Sequence, residues 1–250
     1  MSPQSVLLTP DASWHLSLYP SAGEAGCSFQ SSMRSPRMYV PPGFAADPER
    51  ARAEAARRAR AKLRRYAAAN RLDRFGTLTY AGAGCHDPGR ARADVAAFIR
   101  GLRAGLGGDP FPYVWVPEWH KGGHGLHLHF AVAKYVKHSL IADVWGRGFV
   151  SIKRITSLRQ GAPEIEGARI AARYLSKYVA KTFDSPELNG RHRYDLAQGF
   201  QPKVTRFTGT RESEVLEHAS QVMGASPARS WSSSSVEGWM GPPAGWFQWD

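Results

Sequence analysis

The sequence predicts an α+β protein, on three observations. Segments 74–80, 113–117 and 126–132 carry the alternating or continuous apolar pattern of short strands. Longer segments, 48–69, 91–106, 165–183 and 212–223, read as helices; in 91–106, Val95, Phe98, Ile99, Leu102 and Leu106 recur at helical spacing. The link 119–125 is rich in glycine and polar residues, which predicts that strands 113–118 and 126–132 form a hairpin.

At 250 residues the chain is long enough for one large domain, or one domain with tails. Hydrophobic residues at 42% and aromatics at 11% fit a soluble globular protein. No apolar run approaches the ~20 residues of a membrane span. The N-terminus lacks a basic segment followed by an apolar one, so no signal peptide is expected. Cys27 and Cys85 are too few for a disulfide framework or a cysteine zinc site, and a reducing cytoplasm is the expected location. The net charge of +12 and the isoelectric point near 10.0 point to a polyanionic partner, most simply nucleic acid.

Residues 1–36 are rich in Ser, Pro and Gly and read as a flexible leader, in which Trp14, Leu16 and Leu18 alternate as in a short strand. The main domain is expected over 37–225. Its first helix, 48–69, carries Arg50, Arg52, Arg57, Arg58, Arg60, Lys62, Arg64 and Arg65 against Glu49 and Glu54. Leu63 and Tyr66 are its main large apolar residues. Such a helix either lies solvated on the domain or contacts phosphates, and the charge imbalance favours phosphates. Asn70 is placed to cap its C-terminus. Gly107 and Gly108 stop the helix over 91–106. A short helix is expected over 136–145, a strand over 148–155 and another strand over 201–208. Arg191, Arg193 and Tyr194 form a basic, aromatic cluster. Residues 226–250 read as a Ser-, Pro-, Gly- and Trp-rich tail, with Trp246 and Trp249 expected to dock on the domain or on a partner. No internal repeat is present.

Alternation on strand 126–132 puts His127 and His129 on one face, with Leu128 and Phe130 pointing into a core. Two imidazoles on a rigid strand make half of a metal site. Glu118, ending the preceding strand, is the expected third ligand. His120 and His124 in the hairpin link are reserve ligands. The plain alternative is two histidines on a half-exposed strand beside a solvated glutamate.

On the helix 165–183, residues four apart share a face. Tyr174 and Tyr178 form one stripe. Leu175, Val179 and Phe183 form an apolar stripe on one side, and Arg173, Lys177 and Lys181 a cationic stripe on the other. A phenol with a pKa near 10 is a weak nucleophile at neutral pH. Adjacent ammonium groups are expected to favour its phenolate and to stabilise charge on phosphorus. The alternative is that both tyrosines merely pack.

Three stretches resemble, in order, the motifs of HUH endonucleases of the rolling-circle replication initiator group. Phe75-Gly76-Thr77-Leu78-Thr79 resembles the first, with Gly76 where a large apolar residue is usual. His127-Leu128-His129 resembles the second, preceded by a strand bearing Glu118. Tyr174 to Lys181, two Tyr-x-x-Lys units in tandem, resembles the third motif of the two-tyrosine type. The resemblance covers about 50–195 and is strongest in the combination and order of the motifs.

The resemblance implies a central antiparallel β-sheet flanked by helices, the ferredoxin- or RRM-like palm of that superfamily. It implies a catalytic Tyr178 and Tyr174 aided by Lys177 and Lys181. It implies a divalent ion, Mg²⁺ or Mn²⁺, on His127, His129 and Glu118. The implied activity is nicking and rejoining of one strand of single-stranded or hairpin origin DNA through a 5′-phosphotyrosine, leaving a free 3′ hydroxyl. Phosphate contacts are expected from Arg57, Arg58, Arg60, Lys62, Arg64, Arg65, Lys121, Arg173, Arg191 and Arg193. No phosphate-binding Gly-x-x-x-x-Gly-Lys motif is present, so a separate host helicase and replication proteins are the expected partners, and no membrane. Three other readings stay open: an HUH-type transposase, a non-haem iron enzyme with two histidines and a carboxylate, and a DNA-binding protein without cleavage.

Overall fold

The structure, a computed structural model, describes residues 12–31, 40–41, 44–155, 165–185, 188 and 193–250. The chain divides into two compact units: a central one, 41–202, and a terminal one built from residues up to 40 together with 203–250.

The terminal unit begins with strands β1 (Ala12–Tyr19) and β2 (Glu24–Ser31). The central unit then runs α1 (Pro48–Ala69), β3 (Arg74–Tyr80), α2 (Pro88–Gly105), β4 (Tyr113–Trp119), β5 (Leu126–Val132), α3 (His138–Trp145), β6 (Gly148–Arg154), α4 (Ile165–Phe183) and β7 (Asp195–Leu196). The terminal unit resumes with β8 (Thr205–Gly209), α5 (Glu212–Met223), β9 (Arg229–Ser232) and β10 (Ala244–Gln248). Among the described residues, no helix is long and apolar enough to cross a membrane.

The central unit is the expected antiparallel sheet with helices on its faces. Strand order is β6-β3-β5-β4-β7, every neighbouring pair antiparallel. Alternation along the strands divides two cores. Trp115, Leu78, Leu128 and Phe130 meet Phe98 and Leu102 of α2 and Ile141 and Trp145 of α3 on one face. Val114, Val116 and Ala131 meet Leu63 and Tyr66 of α1 and Ala172, Leu175 and Val179 of α4 on the other. The basic helix α1 therefore does have a buried face, made largely of small residues such as Ala56, Ala59 and Ala67. Asp47 caps its start by accepting from the Arg50 amide at 2.9 Å, with Pro48 in the first turn. Asn70 ends it, its amide nitrogen donating to the carbonyls of Tyr66 at 2.9 Å and Phe200 at 3.0 Å.

Gly76 lies directly opposite Phe130. A side chain at Gly76 would overlap Phe130 Cζ and stand 2.9 Å from the Ser151 carbonyl oxygen. The departure from the usual large residue thus makes room for the Phe130 ring over the β3 backbone.

The terminal unit differs from expectation. The supposed flexible leader supplies β1 and β2 over its described residues, and the supposed tail supplies β9 and β10. All four join β8 in one antiparallel sheet, ordered β8-β1-β2-β10-β9. The main domain accordingly ends at 202 rather than 225. Helix α5 covers one face through Leu16, Leu18, Ala25, Cys27, Val215, Ala219, Phe247 and Trp249. Each strand hides only one side chain in two, so its composition stays polar and small, and its partners lie far off in sequence. Trp249 docks within this unit, its indole nitrogen donating to the Ala225 carbonyl at 2.8 Å. Cys27 and Cys85 are both free and buried. Burial, reinforced by Glu212, pushes the Cys27 thiol up to about 12.

Candidate functional site

The register of the central sheet sets the site. Glu118 on β4 lies directly opposite His127 on β5, and Thr77 and Thr79 on β3 lie opposite His129 and His127. All five side chains project from the face that α1 and α4 cover. His129 is only 6% exposed. Its Nε2 is 2.7 Å from Glu118 Oε2 and its Nδ1 is 3.0 Å from Thr77 Oγ1. A hydroxyl can donate or accept, so Thr77 satisfies either neutral tautomer. Burial lowers the His129 pKa against the opposing pull of Glu118, which favours the neutral ring.

The second oxygen of Glu118 accepts a short hydrogen bond from the Lys181 ammonium on α4. Burial opposes ionisation of Glu118. The hydrogen bonds from Lys181 and His129 outweigh it and hold the carboxyl below its usual range. His127 is half-buried. Its ring stacks on His120, with centroids 4.6 Å apart, and lies edge-on to His124 at 6.5 Å. Burial and the neighbouring imidazoles lower its pKa.

Helix α4 delivers the tyrosines. Leu175 and Val179 are buried in the core beneath it, while Arg173 and Lys177 are exposed. Tyr178 stacks on His129, centroids 3.8 Å apart and planes 15° from parallel. Phe75 of β3 lies near-parallel to both rings, at 5.6 Å from His129 and 6.2 Å from Tyr178. Tyr174, 48% exposed, tilts on Phe75 at 5.9 Å. The Lys181 nitrogen is 5.3 Å from the centre of the Tyr178 ring.

The phenol is not activated in the way the cationic stripe suggested. Burial raises the Tyr178 pKa, the Glu118 carboxylate adds to the rise, and Lys181 only partly offsets them. Sequence spacing shows Lys181 beside the tyrosine; it does not show that Glu118 holds that ammonium.

Among the described residues, no three His, Cys, Asp or Glu side chains already stand as ligands around one point. The donor types nevertheless suit a divalent ion. The 2.7 Å between His129 Nε2 and Glu118 Oε2 is close to the roughly 3 Å between neighbouring ligands on an ion with bonds of about 2.1 Å. His127, opposite Glu118 on the same face, is the third donor, and its ring must leave His120 to join them.

The basic residues are dispersed. Arg57, Arg58, Arg60 and Lys62 are exposed on α1, with Glu54 2.9 Å from Arg57 and 3.9 Å from Arg58. Arg64 and Arg65 are half-buried and engaged. Lys121 is exposed in the hairpin link. Arg173 is paired with Glu166 at 3.2 Å, and Arg193 lies over the Phe183 ring at 4.8 Å. Arg191 lies outside the described residues. Glu118, Trp119, Lys121, Lys181 and Thr182 line a cleft of about 370 Å³ beside the histidines. Sequence reasoning gave Phe75 and Thr77 no separate role. Their places in an alternating strand, on the histidine face, were the only available signal.

Residues 73–183 match the replication-associated protein family of the ORF2 type. The matched span runs from the residue before β3 to the end of α4. It contains Thr77, Glu118, His127, His129, Tyr174, Tyr178 and Lys181. Neither the curated proteins nor the solved structures gave a match.

Proposed function

We propose that this chain initiates rolling-circle replication by nicking and rejoining one DNA strand through a tyrosine–phosphate ester. The observation that carries the reading is Tyr178 stacked on His129, itself bound to Glu118, inside the segment similar to replication-associated proteins. A divalent ion, Mg²⁺ or Mn²⁺, held by His127, His129 and Glu118 would polarise the non-bridging oxygens of the scissile phosphate.

The chain's own groups do the rest. Tyr178 Oη attacks phosphorus; the Oη–P bond forms and the bond from phosphorus to the 3′ oxygen breaks. The phenol proton passes to solvent, and the 3′ oxygen takes one up and becomes a free primer end. The 5′ phosphate stays on Tyr178. Lys181, between Glu118 and the Tyr178 ring, is placed to stabilise charge on the phenolate or on the leaving oxygen. Lys177 supports the same charge from the exposed side of α4. Thr77 holds the His129 ring so that Nε2 faces Glu118. Tyr174, which shares Phe75 as a neighbour, attacks in the closing step when Tyr178 carries DNA. The cations of α1 hold the phosphate backbone, and unwinding falls to a separate helicase.

The test is a covalent-adduct assay. The protein is incubated with labelled single-stranded DNA from its parent replicon and Mn²⁺, then run on a denaturing gel. A shifted, label-bearing protein band supports the proposal. No adduct with any strand of the replicon overturns it.

A further inference from the structure

The sheet of the terminal unit has one face under α5 and a second face that carries an aromatic row. Directly paired residues of an antiparallel sheet project on the same side. Arg206 on β8 pairs with Ser17 on β1, Ser17 with Gly26 on β2, Gly26 with Trp246 on β10, and Trp246 with Trp231 on β9. These five residues form one row across the sheet. None of them belongs to the core beneath α5. Four strand spacings give the row a length of roughly 19 Å.

The Trp231 end is exposed and ordered by its own contacts. Trp231 is 38% exposed, Trp239 43% and Met240 96%. Trp231 and Trp239 meet edge-to-face with centroids 5.5 Å apart, and the Trp239 indole nitrogen donates to the Pro242 carbonyl at 3.0 Å. Ser17 and Gly26 keep the middle of the row low. Exposed His15 and Thr208 continue this face on one side of the row, and Arg229, two residues before Trp231, on the other.

Charge is divided between the two sides of the sheet. Glu212, Glu214 and Glu217 lie on α5. On the aromatic face Glu24 is buried, and Glu237 sits in the turn before Trp239. Arg206 and Arg229 supply its exposed cations. A low floor with cations at two corners and tryptophan rings along one side suits unpaired bases. A base can stack on an indole only when its own face is free, which excludes an intact duplex.

We infer that this face of the terminal sheet binds single-stranded DNA, with bases stacking on Trp231 and Trp239 and phosphates meeting Arg206 and Arg229. The choice of DNA as the strand rests on the proposed function; the aromatic face does not. It lies outside the segment matched to the replication-associated family and outside the histidine–tyrosine site, so it adds a second hold on the same strand.

The test uses the full chain in chelator, so no cleavage is needed. A single-stranded oligodeoxynucleotide carrying 5-iodouracil is bound, irradiated and mapped by mass spectrometry. Cross-links are expected in the segment that bears Trp231 and Trp239. The double substitution Trp231→Leu, Trp239→Leu should weaken binding of the oligonucleotide roughly ten-fold or more, while Trp231→Phe retains most of it. Cross-links confined to residues 41–202 overturn the inference even if the variants fail to fold. Unchanged affinity in a folded double-leucine variant also overturns it and leaves a protein partner as the occupant of the face. A wild-type chain that cross-links at Trp231 yet never forms a tyrosine adduct separates this inference from the nicking proposal.

Discussion

Tyr178 lies flat against His129, 3.8 Å between ring centroids, while the other edge of the imidazole is held by Glu118. One short helix–sheet contact thus joins the proposed nucleophile to the proposed metal ligands, and Glu118 ties both to Lys181.

The first prediction follows from that contact. Tyr178→Phe should lose the covalent adduct on a single-stranded origin oligonucleotide, with cleavage down roughly 10³-fold or more. Tyr174→Phe should keep the adduct but impair release of unit-length circles. A dead Tyr174→Phe beside an active Tyr178→Phe would reverse the assignment.

A second prediction concerns the ion. His127→Ala combined with His129→Ala should abolish cleavage and Mn²⁺ binding, the latter read by titration calorimetry, yet leave most DNA binding intact. Thr77→Val should weaken Mn²⁺ binding by about 10-fold, because His129 loses its orienting partner, and Thr77→Ser should restore it. Full cleavage by the double histidine variant in chelator would sink the metal site.

DNA affinity should fall steeply with salt, by about 0.7 log units per log unit of salt for each phosphate neutralised on a single strand. Replacing Arg57, Arg58, Arg60 and Lys62 with Gln should flatten that slope, as measured by fluorescence anisotropy. A slope already flat in the wild type would remove α1 from the interface.

Stability should depend on pH in a stated direction. His127 and His129 both have folded pKa values below the ordinary 6.5, mainly through burial. Between those values and 6.5 the unfolded chain binds more protons, so stability is fully present above about 6.5 and is lost as pH falls. Glu118, also lowered, extends the loss below the ordinary carboxylate range. Melting temperature in chelator should therefore drop from pH 7.5 to 5.5, and His127→Gln with His129→Gln should flatten the drop. An unchanged wild-type melting temperature over that interval contradicts the burial of these rings.

Gly76→Ala should destabilise the central unit by roughly 1–3 kcal/mol, since the new methyl overlaps the buried Phe130 ring. Phe130→Leu should cost less in the Gly76→Ala background than in the wild type, giving a measurable coupling in denaturant unfolding.

Strands β3 and β5 and helices α4 and α5 have the bounds that their residue patterns indicate, because period-two and period-3.6 patterns are local and need no partner to be seen. The same locality puts His127 and His129 on one face and Tyr174 and Tyr178 on one stripe. Local pattern carries no information on what meets those faces. That Glu118 pairs with Lys181, and that this pairing with burial raises the Tyr178 pKa, depends on the β4–β5 register and on how α4 lies over the sheet. That Gly76 makes room for Phe130 depends on the β3–β5 register. The terminal sheet is the clearest case. β1 and β2 read as a leader, and β9 and β10 as a tail, because each strand buries only alternate small or apolar side chains. Their pairing joins residues some two hundred positions apart, where only the folded chain brings the two hydrogen-bonding edges together.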